Sequence, residues 1–332
     1  MKQQADLSYN KSVEGGLEFM DTNAKTRAKC IAIYNQKGGV AKTTTSVCCA
    51  QILGEALDKN VLLIDFDSQG SASLMTGIET WDDSSPSIGT LMSDIAIDGH
   101  RPAIWEIMDC VSRGKYEHRY QIKGEFGWKT KMKEYDFDIL PVRGVDLSVA
   151  ELALHNDANW VYKNVSKSFL MLKMIVDTII MEGNYDYIII DSNPSLSAHA
   201  INALFASDYL IVPTTMTPES INGISAIFAR LEELNLVYPY FEPLGILYQK
   251  FSGNRTLDKL ILNNTVFEPF ETKIPDVNTK ISKSINEGII PVCKKDKAYA
   301  PLRKAYIELC QEIEKRIIKK EAEHGKLQRV FI

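Results

Sequence analysis

Cys30-Ile31-Ala32-Ile33-Tyr34-Asn35-Gln36-Lys37-Gly38-Gly39-Val40-Ala41-Lys42-Thr43-Thr44-Thr45 is the stretch that decides how this chain is read. An apolar run of strand type leads into a glycine pair, and the residues after it open a helix near Thr43. Glycines let the backbone fold tightly enough for its N–H groups to converge on phosphate oxygens, while the helix start aims its positive dipole end at the same anion. Lys42 supplies charge to the β- and γ-phosphates of a bound nucleotide, and the Thr43 hydroxyl completes a Mg²⁺ shell.

Working outward, further apolar runs recur at Val61-Leu62-Leu63-Ile64-Asp65, Phe137-Asp138-Ile139-Leu140-Pro141, Tyr187-Ile188-Ile189-Ile190-Asp191, Tyr209-Leu210-Ile211-Val212-Pro213 and Leu244-Gly245-Ile246-Leu247-Tyr248. A short strand is expected to end at Ile274-Pro275. Continuous apolar strands separated by helices mark a parallel sheet covered on both faces. Helical patterns run from Thr43 to Leu57, from about Val161 to Glu182, from about Ser220 to Leu234 and from about Ala300 to Lys320. The predicted fold is therefore α/β, a doubly wound and mostly parallel sheet with helices on both faces, and its ligands belong at the carboxyl ends of the strands. Residues 1–28 are polar and aperiodic and read as a flexible N-terminal arm. Residues 29–332 read as one domain built around the phosphate loop, and residues 80–135 depart from its regularity, with Trp81, Trp105, Trp128, Pro86 and Pro102 marking an inserted, partly helical subregion.

Two acidic strand ends supply the remaining chemistry. Asp65-Phe66-Asp67-Ser68-Gln69-Gly70 follows the second apolar run, and Asp186-Tyr187-Ile188-Ile189-Ile190-Asp191-Ser192-Asn193-Pro194-Ser195-Leu196 ends four apolar residues in an acid. An aspartate at a strand tip beside the phosphate loop can bind Mg²⁺ through water and the Thr43 hydroxyl, which points to Asp191. Asp65 contributes to the same shell or fixes its loop.

With Lys37 ahead of the glycines, the loop fits K-G-G-x-x-K-T-T, and on these motifs the chain resembles the ParA/MinD family of P-loop ATPases. The resemblance covers about residues 29–315, with 80–135 poorly matched. It implies ATP as cofactor, held by Lys37, Gly38, Gly39, Val40, Ala41, Lys42, Thr43 and Thr44, and Mg²⁺ near Thr43, Asp65 and Asp191. It implies Lys37, Lys42 and Asp67 as catalytic, Lys37 by crossing a dimer interface to the partner's nucleotide and Asp67 by holding the attacking water. Gln249 matches the family's adenine-reading position, with a role in loop structure as the alternative. Three departures stand out: Ala41 replaces the usual glycine, Ser68 a proline, and Asn193 a proline. The segment from Ile274-Pro275 through Ser282 and Lys283 to Pro291 matches the family's I-P loop without its usual arginines.

Composition fits this picture. The 332 residues carry a net charge of −5, yet from Lys250 onward 17 Lys and Arg stand against 11 Asp and Glu, so this third is +6 and the remainder −11. A basic third on an acidic protein suits one face meeting a polyanion. The six cysteines lack any C-x-x-C pair, and the five histidines have no ligand spacing, so no transition metal and no histidine base is expected. There is no basic-then-apolar leader and no apolar run approaching the ~18 residues of a spanning helix, so a cytoplasmic protein is expected, and the resemblance implies that it is nucleoid-associated. The resemblance then implies an ATPase of slow intrinsic rate that forms a homodimer around ATP. In that state it binds DNA non-specifically through Arg255, Lys280 and Lys283, and it drives plasmid or chromosome partition with a ParB-like centromere-binding partner.

Two rivals share the scaffold. A MinD-like membrane-cycling ATPase needs a lipid-facing stripe on the last helix, where Leu302, Tyr306, Leu309, Ile313 and Ile317 recur at helical spacing, but packing on the sheet explains that stripe better and the tail Lys326–Ile332 is short. An iron–sulphur carrier ATPase needs cysteines after the phosphate loop, and only Cys110 lies between Gly70 and Asp191.

Overall fold

A computed structural model describes residues 27–81, 85–120, 129–143, 147, 169–182, 184–194, 197–215, 241–251, 268–277, 281, 283–284 and 287–330. Among them, β1 (Lys29–Ile33) leads through the phosphate loop to α1 (Lys42–Leu57) and then β2 (Val61–Phe66). α2 (Ser71–Met75), α3 (Ile88–Asp98) and α4 (Ile104–Cys110) precede β3 (Lys115–Tyr120), β4 (Lys129–Glu134) and β5 (Asp138–Leu140). α5 (Met171–Glu182), β6 (Tyr187–Ser192), α6 (Ala198–Ala206), β7 (Tyr209–Thr215), β8 (Glu242–Gln249) and α7 (Ala300–Val330) complete the order.

Six strands form one sheet in the order β5-β2-β6-β1-β7-β8, and every pairing in it is parallel. Because side chains alternate along a strand, each apolar run feeds two cores. Ile31, Ile33, Leu63, Ile189 and Ile211 enter the core under α1 and α7, while Cys30, Leu62, Ile64, Ile188 and Ile190 enter the one under α3, α4, α5 and α6. The stripe Leu302, Tyr306, Leu309, Ile313 and Ile317 of α7 is wholly within the first core. This arrangement brings the ends of β1, β2 and β6 side by side, with Asp191 in register with Ile33 on one neighbour and Asp65 on the other.

Several expectations are corrected at the periphery. The 80–135 subregion holds α3, α4 and an antiparallel ribbon of β3 with β4, and the strands escaped notice because Lys-Thr-Lys-Met-Lys-Glu carries no apolar alternation. Near Ile274-Pro275 there is one parallel bridge, Phe251 to Pro275, in place of a strand. The last helix continues through most of the supposed tail to Val330. Arg27 and Ala28, expected in the arm, are held by the domain: Arg27 pairs with Asp208 at 3.1 Å, and Ala28 is buried. The rest of the arm, the helix expected at Ser220–Leu234 and residues 161–168 of another lie outside the described residues.

Candidate active site

The phosphate loop is a turn whose shape depends on left-handed backbone at two positions. Gly39 has φ 73°, and Ala41, the residue before α1, has φ 64° and ψ 36°. Glycine adopts this region freely, whereas an alanine there carries steric cost. A Cβ built on Gly38 or Gly39 would meet nothing within 4 Å, so the ground in front of both is open, as a cradle for an anion requires. Asn35 ties the loop to the sheet: its Nδ2 donates to the Pro213 carbonyl at 2.7 Å and its Oδ1 accepts from the Lys37 N–H at 2.9 Å. Lys42 is buried, and its Nζ donates to the Lys37 carbonyl at 3.2 Å. Burial pushes its ammonium below the ordinary lysine range, partly opposed by Asp191 and Asp67. A phosphate would relieve that cost by placing negative charge beside it. Lys37, by contrast, is exposed at the rim of its own loop.

Three buried carboxylates, Asp191, Asp65 and Asp67, lie at the strand ends beside this loop. Asp191 is fully buried and accepts from the Ser46 hydroxyl at 2.8 Å through Oδ1, while Oδ2 has no hydrogen-bond partner among the described residues. Burial pushes it up to about 8, the neighbouring Asp65 adds to the rise, and the Thr43 and Ser46 hydroxyls pull the other way. A buried carboxylate with a spare oxygen is a poor resting state unless a cation compensates it. Asp191 and Thr43 therefore fit a Mg²⁺ ion as donors of hard oxygen.

Asp65 is placed differently. Its Oδ2 accepts from both the N–H and the hydroxyl of Ser73, at 2.8 and 2.7 Å, and burial pushes it up to about 6. Of its two expected roles, the geometry supports fixing the loop more strongly than ligating the ion. Asp67 lies one alternation further on, with Oδ1 accepting from the Gln69 N–H at 3.0 Å, an Asx turn that aims the carboxylate beside the loop.

Gln249 also has a defined place. Its Nε2 donates to Thr45 Oγ1 at 2.9 Å, and that hydroxyl donates onward to the Ala41 carbonyl at 2.7 Å, so it braces the start of α1. It also lines a cavity of about 210 Å³ with Gly39, Ala41, Thr44, Ile274 and Pro275, so its bracing of the loop is compatible with a base-edge role there. Lys283 is exposed, and Arg255 and Lys280 lie outside the described residues. Asn35, Ser46 and Ser73 carried no role in the sequence reading. Each serves the site through a partner distant in sequence or specified only by the fold, and a polar residue at a core-facing position was their only signal.

A protein-family model described as an AAA domain matches residues 28–238. The sporulation initiation inhibitor protein Soj of Bacillus subtilis is 33% identical over 202 residues, a match spanning 60% of this chain and 63% of Soj, so the chain covers less than two thirds of Soj's length. The chromosome partitioning protein ParA of Caulobacter vibrioides is 27% identical over 290 residues, 86% of this chain and 93% of that one. Among solved structures, cobyrinic acid a,c-diamide synthase from Mycobacterium smegmatis, with bound ATP analogue and magnesium, superposes with TM-score 0.61 at 22% identity, covering 86% of this chain and 93% of its own. A plasmid partition protein from Borrelia burgdorferi bound to AMPPNP gives TM-score 0.58 at 23% identity, covering 89% and 100%. At such identities the structures speak for the fold, and one fold hosts several activities.

Proposed function

The chain belongs to the ParA/MinD family of P-loop ATPases, and from that premise we propose that it binds ATP with Mg²⁺, dimerises around it, holds DNA non-specifically in that state and lets go after hydrolysis. A ParB-like partner that speeds hydrolysis would then make it a partition motor. The observation that carries this reading is the meeting of an open two-lysine loop with Asp191, whose buried Oδ2 has no hydrogen-bond partner among the described residues.

Bound Mg²⁺ would supply charge neutralisation for the phosphates. Lys42 and the loop N–H groups bind and orient them, and Thr43 and Asp191 hold the cation. Asp67 positions the attacking water, since phosphoryl transfer asks the protein chiefly for positioning and charge. Lys37, exposed on its own protomer, reaches the neighbour's nucleotide. With no arginine finger beside the loop among the described residues, intrinsic turnover is expected to be slow.

Lys42→Ala should remove ATP binding in calorimetry, and an affinity within a few-fold of the parent would sink the phosphate assignment. Lys37→Ala should keep monomer binding but lose ATP-dependent dimerisation in sedimentation. Membrane cycling through the last helix is disfavoured by packing. Its five stripe residues are buried at 3% exposure or less, and exposing them at roughly 1.5–3 kcal/mol each would cost about as much as a whole domain's stability. Flotation with liposomes and ATP should leave the protein in the dense fraction.

A further inference from the structure

We propose that the β3–β4 ribbon is a phosphate-contacting arm for duplex DNA, separate from any surface the ATP dimer creates at Arg255, Lys280 and Lys283. The inference rests on the DNA-binding reading above. The ribbon is a two-stranded antiparallel sheet outside the main sheet, and all six residues of β4 are exposed. Its register sets Lys133 opposite Tyr116, Lys131 opposite His118 and Lys129 opposite Tyr120. Alternate residues of a strand share a face, so the three lysines line one side at intervals of about 6.8 Å.

The root of the ribbon is fixed. Tyr116 is buried, and its ring stacks on Tyr135 with centroids 4.8 Å apart, which in turn stacks on Phe137 at 5.7 Å. The arm therefore leaves the domain from a rigid base. Beside that base, Tyr116 and Glu117 share a cleft of about 320 Å³ with Glu287, Cys293, Lys294 and Lys295, where two acids balance two lysines, so the arm's excess charge is that of the ribbon itself. Three nearby acids are already paired, Glu134 with Lys115 at 3.1 Å, Glu287 with Lys294, and Glu55, a carboxylate within electrostatic reach of Lys133, with Arg303 at 3.1 Å. The two strands together hold five Lys and Arg against two Glu, a local charge of +3 on a chain of −5.

Shape and chemistry agree on the partner. A two-stranded ribbon fits the major groove of B-form DNA, about 12 Å wide. Lysine is a point charge suited to phosphate, and contacts to phosphate carry no sequence information. Contacts of this kind give sequence-independent, salt-sensitive binding.

The test is Lys129→Gln/Lys131→Gln/Lys133→Gln in the full chain, beside the same triple change to Arg, with two unrelated 30-base-pair duplexes titrated by fluorescence anisotropy over a salt series, with and without a non-hydrolysable ATP analogue. The Gln variant should bind both duplexes on the order of tenfold more weakly, and its log–log salt slope should flatten by about 2.7 per protomer, the counterion release of three phosphates. ATP affinity and thermal unfolding should be unchanged, and the Arg variant should bind as the parent does. Parent-like affinity and slope in the Gln variant would overturn the arm while leaving DNA binding elsewhere intact. Unaltered duplex binding together with new self-association would overturn it in favour of lysines that merely guard strand edges. Loss of binding to anionic lipid vesicles, with duplex binding kept, would overturn it in favour of a membrane contact. If the parent itself binds no duplex in any nucleotide state, the underlying DNA reading fails and the arm fails with it.

Discussion

Asp191→Asn should abolish a pH dependence of stability that the nucleotide-free protein otherwise shows. In the folded chain this carboxyl is pushed up to about 8 by burial and by the adjacent Asp65, whereas unfolded it returns to the ordinary aspartate value near 3.9. Between those values the folded state holds a proton that the unfolded state has lost, so stability falls as pH rises through that window and levels off above 8. From pH 6 to pH 8 the folded group passes from almost fully to half protonated, which at about 1.4 kcal/mol per unit corresponds to a loss of about 2 kcal/mol. Asn is neutral throughout and its side-chain oxygen can still accept from Ser46, so the variant should lack this part of the fall. The Asp65 contribution, centred at about 6, is spent mostly at lower pH. Urea unfolding in EDTA at pH 6 and pH 8 measures the difference between parent and variant, which should change by about 2 kcal/mol between the two conditions. Adding Mg²⁺ at pH 8 should stabilise the parent by favouring its ionised carboxylate and leave the variant unmoved. Equal losses in the two proteins would mean that Asp191 is already ionised at pH 6, and the argument for a cation-seeking carboxylate would collapse.

Asp67→Ala should leave ATP binding intact and slow single-turnover hydrolysis by two orders of magnitude or so, trapping an ATP-bound dimer; unchanged turnover would remove the water-positioning role. Ala41→Val should destabilise the protein by about 1–3 kcal/mol in urea, because a β-branched residue tolerates left-handed backbone worse than alanine, and Ala41→Gly should be neutral or slightly stabilising; a tolerated valine would show that the loop is free to change shape. Gln249→Ala should lower stability by about 1 kcal/mol through the lost bond to Thr45, and any selective loss of ATP against GTP affinity would add a base-reading role to the bracing one.

What the sequence made legible follows from where the information lies. Strands of a parallel sheet buried on both faces announce themselves as continuous apolar runs, so β1, β2, β6, β7 and β8 were found within a few residues of their ends. The phosphate loop was equally plain, because its chemistry is local: glycines and lysines within eight residues carry the geometry and the charge. Partners chosen by the fold were not legible. Nothing near Ser46 indicates that its hydroxyl will meet Asp191, 145 residues away, and nothing near Asn35 indicates the Pro213 carbonyl, 178 residues away. Asp65 shows the consequence. Both acids end strands with similar sequence, and their difference appears only when Ser73 folds back to occupy one oxygen of Asp65 while Oδ2 of Asp191 keeps no hydrogen-bond partner among the described residues. The ribbon failed for the opposite reason, since Lys129, Lys131 and Lys133 alternate without burying a face, and hydrophobic periodicity is blind to a strand whose alternating side chains are charged. A motif therefore identifies which residues compete for a role, and the second layer of hydrogen bonds, written by tertiary contact, decides among them.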